Sequence, residues 1–324
     1  MKHAAPIDSW EQTKLLADAR RLRLLRLLMA RPATLTQLAE QVGKSPAWVR
    51  HHIQQLERAG LVTLAEVRQR GRVREKYYRA TAGAWVLQRL VLPESDHPVV
   101  VFAGSHDLAL EQLAQDLAPH LEIVLHPVGS LDGLVNLRQH LCHFTGAHLL
   151  DETGLYNTPY VRRLFPAHDV RLMTLAHRVQ GLMVAAGNPL GIRDLHDLLR
   201  ADVRFVNRNP GSGTRLWLDA RLQELGLDAA QVQGYTHEVD THTAAAQAVA
   251  SGKADVALGL EAAAARYGLD FIPLFAERFD LVFPQQETRE LAPLLDALQT
   301  ARFRRFLTQM RGYNPAHTGE EVAV

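Results

Sequence analysis

Four short segments bring together residues able to hold an anion. They read Gly104-Ser105-His106-Asp107, Gly129-Ser130-Leu131-Asp132, Gly211-Ser212-Gly213-Thr214-Arg215 and Asp240-Thr241-His242-Thr243. Each sets a small hydroxyl at or near the expected start of a helix, three of them behind glycine. A hydroxyl beside bare backbone amides supplies several neutral donors with little bulk, which suits an oxyanion or a carboxylate. One such junction is an ordinary helix cap. Four, one of them carrying an arginine, point to a ligand site. The glycine-rich segment lacks the G-x-x-x-x-G-K-[ST] pattern of a nucleotide P-loop, and no G-x-G-x-x-G follows a strand.

Other chemistries are less well served. His140, Cys142, His143 and His148 are zinc-type ligands, but Cys142 and His143 are adjacent and would face opposite sides of a strand, so packing is the better reading and no metal is expected. His106 beside Asp107 and His242 beside Asp240 could serve an enzyme acting on a small anion. No G-x-S-x-G nucleophile motif accompanies them, and no catalytic residue is assigned. Cys142 is the only cysteine; it cannot form an internal disulfide, which agrees with a reducing cytoplasm. No apolar run approaches a membrane span, and Met1 to Trp10 lacks a secretory signal.

The elements that must position the junctions alternate from residue 99 onward. Strand-like 99–103, 121–125, 203–206 and 256–260 alternate with helical 108–118, 131–141, 214–225 and 243–250. That order predicts parallel sheets flanked by helices, in two lobes, with the junctions at the crevice.

The first 92 residues differ in kind. They hold 17 Lys/Arg against 7 Asp/Glu, whereas the remainder holds 19 against 28, so a basic module precedes an acidic body. The pattern predicts a long helix from Trp10 to Met29 stopped at Arg31-Pro32, and a short one over Thr34–Gln41 ended by Gly43. A third helix is capped by Ser45-Pro46. Its start (Ser45, Ala47, Trp48) and outer face (Arg50, His51, Gln54, Arg58) offer groups for bases and phosphates. A hairpin follows over Leu61–Arg79, carrying Arg68, Arg70, Arg72, Arg74 and Lys76. Helix, turn, polar helix and basic wing together predict binding to double-stranded operator DNA. The segments L-x-x-L-A-E-x-V (Leu35–Val42) and S-x-x-x-V-R-x-H-I-x-x-L-x-x-A-G-L-V (Ser45–Val62) resemble the winged helices of bacterial arsenical-resistance-type repressors. That family's metal-binding cysteine pair is missing, which moves sensing to the acidic body.

The acidic body resembles type II periplasmic-binding-protein domains, in particular the molybdate/tungstate-binding-protein-like type fused to helix-turn-helix modules. The residues that carry this are F-V-N-R-N-P-G-S-G-T-R-L-W-L-D (Phe205–Asp219), Gly234-Tyr235 and T-H-T-A-A-A-Q-A-V-A-S-G-K-A-D-V-A-L-G (Thr241–Gly259). Gly104–Asp107 and Gly146–Asp151 fit the same pattern. The resemblance implies a ligand held by Ser105, Ser130, Ser212, Gly213, Thr214 and Arg215, with Tyr235 and Thr241 further out and His106 and His148 as pH-tuned donors. It also implies one lobe from about 99–175 with 260–313 and another from 176–259.

The expected architecture is therefore an N-terminal winged helix-turn-helix (1–80), a connector helix and linker (81–98), and a two-lobed α/β domain (99–313). The expected function is a cytoplasmic, ligand-responsive transcription regulator, a homodimer joined through Trp10–Met29 and Ala80–Leu92. Its effector would be molybdate or tungstate, with no cofactor. A different small metabolite is one alternative effector; an acidic body serving only for dimerisation would bind no small anion.

Overall fold

Polar caps start the N-terminal helices. The computed structural model describes residues 3–7, 9–87, 89–167 and 169–324, and the chain divides into two units, Met1–Arg89 and Leu90–Val324. In the first, strand β1 (Ala4–Pro6) precedes helices α1 (Trp10–Leu16) and α2 (Ala19–Ala30). The single helix expected over Trp10–Met29 is thus two. Asp18 leaves helical geometry, and its carboxylate caps α2 by accepting from the Arg20 amide. Helix α3 (Leu35–Val42) begins in a Thr34/Gln37 capping box and ends at Gly43, whose φ of +65° suits glycine. Helix α4 (Pro46–Arg58) is capped by Ser45. Its buried Val49, Ile53 and Leu56 share a core with Leu24, Leu25, Leu28 and Leu38.

Strands β2 (Val62–Arg70) and β3 (Val73–Ala80) form the antiparallel wing. The connector helix expected over Ala80–Leu92 is not formed. Ala84–Val86 is instead strand β4, paired in parallel with β1. Pairing with a distant segment takes the backbone bonds that a helix would have used, while Trp85 packs on the core. Gln88 of the expected connector, and residues 1, 2 and 8 of the N-terminal stretch, lie outside the described residues.

The second unit opens with β5 (Val99–Gly104), α5 (Leu108–Leu117), β6 (Glu122–Pro127), α6 (Ser130–Arg138), β7 (Thr145–Ala147) and α7 (Thr158–Leu164). There follow β8 (Val170–Val184), β9 (Phe205–Arg208), α8 (Gly213–Glu224), β10 (Glu238–Val239), α9 (His242–Ala250) and β11 (Val256–Leu260). Helix α10 (Glu261–Arg266), β12 (Asp270–Pro284), α11 (Ala292–Gln299), α12 (Ala301–Gln309), β13 (Tyr313–Asn314) and β14 (Glu321–Val322) complete it.

The main sheet runs β10-β9-β11-β8-β12-β7, with β13 and β14 also on β8. Sequence alternation predicted parallel sheets. The sheet is mixed: β10, β9 and β11 are parallel, whereas β8, β12 and β7 join it antiparallel. Strands β8 and β12, fifteen residues each, belong to both halves of the unit. Their Val170–Arg178 and Glu277–Pro284 ends lie with β7, β13 and β14. Their other ends lie with β11, where Leu182, Val184, Ile192, Leu198, Phe205 and Leu258 form a core that Ile272 and Leu274 still join. Strand β5 pairs with β6 and is tied to β7 by the Ala103 and Ser105 amides, which donate to Phe144 and Gly146. The first half thus holds β5–β7, and the second holds β9–β11.

Candidate functional site

The halves meet through the turns that precede α6 and α8. The Leu131 amide donates to the Gly211 carbonyl at 3.3 Å, and the Asn209 side-chain amide to the Val128 carbonyl at 3.1 Å. Gly129 has φ +98°, and a Cβ there would stand 3.0 Å from the Ser212 nitrogen. A Cβ on Gly213 would stand 2.6 Å from the His148 ring. Only glycine permits both approaches.

Behind this seam runs a continuous buried polar network. The Thr214 hydroxyl donates to Gln180 Oε1 at 2.9 Å, and Gln180 Nε2 donates to Glu277 Oε2 at 2.6 Å. His148 Nδ1 lies 2.6 Å from the same oxygen, and its Nε2 2.8 Å from Ser105 Oγ. Arg178 donates from Nε to Glu277 Oε1 at 2.7 Å and from Nη1 to Asp107 Oδ2 at 2.6 Å. Tyr313 donates to that Asp107 oxygen at 2.6 Å, while the Leu110 amide donates to the other. Each carboxylate thereby accepts from several donors.

Electrostatics fixes the charge states. Burial alone would push the Glu277 carboxyl up, but His148, Arg178 and the donors around it hold it down to about 2. Burial likewise disfavours the Arg178 cation, but Glu277 and Asp107 outweigh that and raise its pKa. The His148 pKa is shifted down, chiefly by burial, against the opposing pull of Glu277.

Among the described residues, one buried guanidinium forms no ion pair with a carboxylate. Arg208, at the end of β9, is 1% exposed. Its Nε and Nη2 donate to the Val239 and Asp240 carbonyls at 3.2 and 2.8 Å, at the entry to α9. Its Nη1 has no partner among the described residues. Burial, reinforced by Arg178, lowers its pKa to about 9. Beside it His242, fully buried, has neither ring nitrogen engaged. Burial and then the Arg208 and Arg178 charges push its pKa well below normal. Thr145 Oγ1 is a further buried orphan. Buried polar groups are rarely left without partners, and an anion would supply the missing acceptor.

Of the residues picked out in the sequence, Ser105, Ser130, His148, Gly213 and Thr214 come together in the network; the Ser130 hydroxyl accepts the His148 amide at 3.2 Å. Ser212 and Thr241 cap α8 and α9. His106 is spent on Glu111 at 2.8 Å and on the His242 amide at 3.3 Å. Arg215 is turned away, bound to Asp219 and Glu238 and lying over the Tyr235 ring. Tyr235 in turn donates to Asp219. Arg178, Gln180, Arg208 and Glu277 were not picked out. Cys142 is buried and its thiol pushed up to about 12, and His143 uses Nδ1 to accept the Val101 amide.

In the N-terminal unit Ser45, Ala47, Arg50, His51 and Gln54 are exposed on α4, and Trp48 is half-buried against His52. Arg70, Arg72 and Arg74 are exposed on the wing, with Arg70 lying 3.8 Å from Glu75. No helix among the described residues is long and apolar enough to cross a membrane.

Residues 110–299 match the PBP superfamily domain, and residues 18–63 match the bacterial regulatory protein, arsR family. The uncharacterized protein YvgK of Bacillus subtilis (strain 168) is 36% identical over 232 residues, 69% of this chain and 74% of that protein. An uncharacterized protein of Clostridium pasteurianum, from the 5′ region of a 2Fe-2S ferredoxin gene, is 34% identical over 108 residues, 32% of this chain and 96% of its own length. The sulfate-binding protein SubI from Mycobacterium tuberculosis H37Rv shares the fold, with a TM-score of 0.50 at 17% identity over 68% of this chain and 88% of SubI. The chain belongs to the PBP superfamily, its ligand-binding domain joined to an arsR-type helix-turn-helix.

Proposed function

We propose that this protein is a transcription regulator that binds operator DNA through α4 and the wing, as a two-fold dimer, and whose C-terminal unit closes on molybdate or tungstate. The observation that carries the ligand class is Arg208, a buried guanidinium with no ion pair and one free donor among the described residues. The neighbouring groups refine it. Asp107 and Glu277 already accept from several donors, so neither is left free for the proton of hydrogen phosphate. A fully ionised dianion needs only donors. Within that class, molybdate and tungstate follow from the resemblance of Phe205–Asp219 and Thr241–Gly259. A ligand that binds the closed form better shifts the unit toward it.

A thermal-shift panel on the full chain tests this. Molybdate and tungstate are expected to raise the melting temperature at micromolar to millimolar concentration and phosphate to leave it unchanged. An equal shift with phosphate, or none with any oxyanion, contradicts the reading. Gly213→Ala should reduce the molybdate shift, because the added Cβ must displace the His148 ring at a cost of about 1–3 kcal/mol to the closed form; an undiminished shift would show that the seam does not close on the ligand.

On the DNA side, Arg72→Ala and Arg74→Ala should weaken operator binding uniformly across sequences. Each should also lower the salt slope by about one counterion, measured by fluorescence anisotropy between low and physiological salt. An unchanged slope would remove the wing from the interface.

A further inference from the structure

The polar network has a second face. His148, Gly213 and Glu277 also form the floor of a cleft of about 820 Å³. Ser105, Arg208, Thr214 and His242 do not line it. Its volume is that of a site for a molecule of some tens of atoms, far more than a tetrahedral oxyanion occupies.

The lining has a definite chemistry. Trp217 and Phe275 stack in the wall with ring centroids 3.8 Å apart and planes 18° apart. Leu150, Leu216 and Leu225, all among the exposed large apolar side chains of the molecule, border the same cleft. Apolar side chains left exposed around one concavity mark a binding surface better than scattered ones do. Around them stand Asp151, Glu152, Asp194 and Glu224, against a single arginine, Arg221, which is already paired with Glu224 at 2.7 Å. The cleft therefore carries excess negative charge beside a flat aromatic wall.

We propose that this cleft is a second ligand site, taking a flat aromatic or heteroaromatic molecule that bears a cationic, N–H-donating edge such as an amidine or an amino-substituted nitrogen ring. The ring stacks on Trp217, and the charged edge faces the carboxylates. An aromatic face and acidic groups both attract a planar cation. An anionic body of the same shape is repelled by the same carboxylates.

Three isosteric probes of differing charge test this on the full chain by isothermal titration calorimetry: 2-naphthamidine, 2-naphthamide and 2-naphthoate. The amidine is expected to bind at least ~10-fold more tightly than the neutral amide, and the carboxylate not measurably. Trp217→Leu should weaken the amidine by about tenfold. Glu152→Gln, on the rim, should weaken it several-fold and keep the fold intact should the Trp217 variant fail to fold. Equal binding of amidine and carboxylate, no binding of the amidine, or amidine binding unaffected by Glu152→Gln would each overturn the proposal. None of these results depends on molybdate, whose own thermal shift tests the role of Arg208 separately.

Discussion

Replacing Arg208 with methionine is expected to abolish the stabilisation of the protein by molybdate while leaving its ligand-free melting temperature little changed. Two effects oppose each other in the ligand-free protein. Removing the guanidinium relieves a buried charge that has no carboxylate partner, which favours the variant. It also strips donors from the Val239 and Asp240 carbonyls, at about 1–3 kcal/mol for each group left unsatisfied. With the anion bound there is no such balance, because the variant then holds a buried dianion without its cation. The loss should reach about 2–5 kcal/mol, roughly 30- to several-thousand-fold in affinity. Arg208→Lys keeps the charge but not the planar fork, so it should recover part of the response. Titration calorimetry with molybdate distinguishes these outcomes, and wild-type affinity in the methionine variant would show that Arg208 is not the anion's partner. By contrast Arg215→Ala should alter affinity little, since that side chain is committed to Asp219 and Glu238.

The largest effect on stability is expected at Arg178. Arg178→Met leaves Asp107 and Glu277 buried without the cation that joins them. Breaking a buried ion pair from one side costs about 3–5 kcal/mol, a large part of the roughly 5–15 kcal/mol that holds a domain together. The pH dependence gives the effect a signature. In the native protein the Glu277 carboxyl is held down to about 2 from an unfolded value of 4.5. Its contribution is therefore complete above pH 4.5 and is lost as pH falls toward 2. Without Arg178 the burial of Glu277 is less opposed, its folded pKa rises, and acid no longer penalises the folded state in the same way. The stability gap between the two proteins should thus narrow as pH falls from about 5 toward 3. Urea denaturation at several pH values measures it, and a gap constant with pH would mean that Arg178 acts through packing alone.

What could be read from the sequence was local. Ser45, Ser212 and Thr241 are caps because a hydroxyl that accepts a nearby amide needs only its own next three residues. Gly129 and Gly213 stood out for the same reason. The Arg178–Glu277 pair did not, because it depends on the register of two strands 99 residues apart. Those strands also conceal themselves. Arg178 and Gln180 interrupt β8, and Glu277, Arg278 and Asp280 interrupt β12, so neither is apolar along its whole length or shows a clean alternation. Arg208 carries no sequence mark of burial, since a strand-end arginine is ordinarily solvated. Arg215 drew attention by following Gly-Ser-Gly-Thr, yet Asp219 four residues on was the better guide, an i,i+4 partner on the same helix. Likewise the Asp18 cap that divides the first helix was present as an aspartate ahead of the arginine run, and the periodic leucines masked it.

The continuous pairing of β8 with β12, from Val170 opposite Pro284 to Val184 opposite Asp270, has a topological consequence. Everything from residue 185 to 269 is the loop of one long β-hairpin. A chain that turned directly from Val184 to Asp270 would keep the β8–β12 ladder and every strand that pairs with it at its other end, β7, β13 and β14. The half that carries Arg208 is an insertion. It is joined covalently to the rest, and so to the DNA-binding unit, only through this two-stranded ribbon. The covalent route for any movement of that half is therefore a twist of the ribbon, where Arg178 and Glu277 grip each other across the two strands at mid-length.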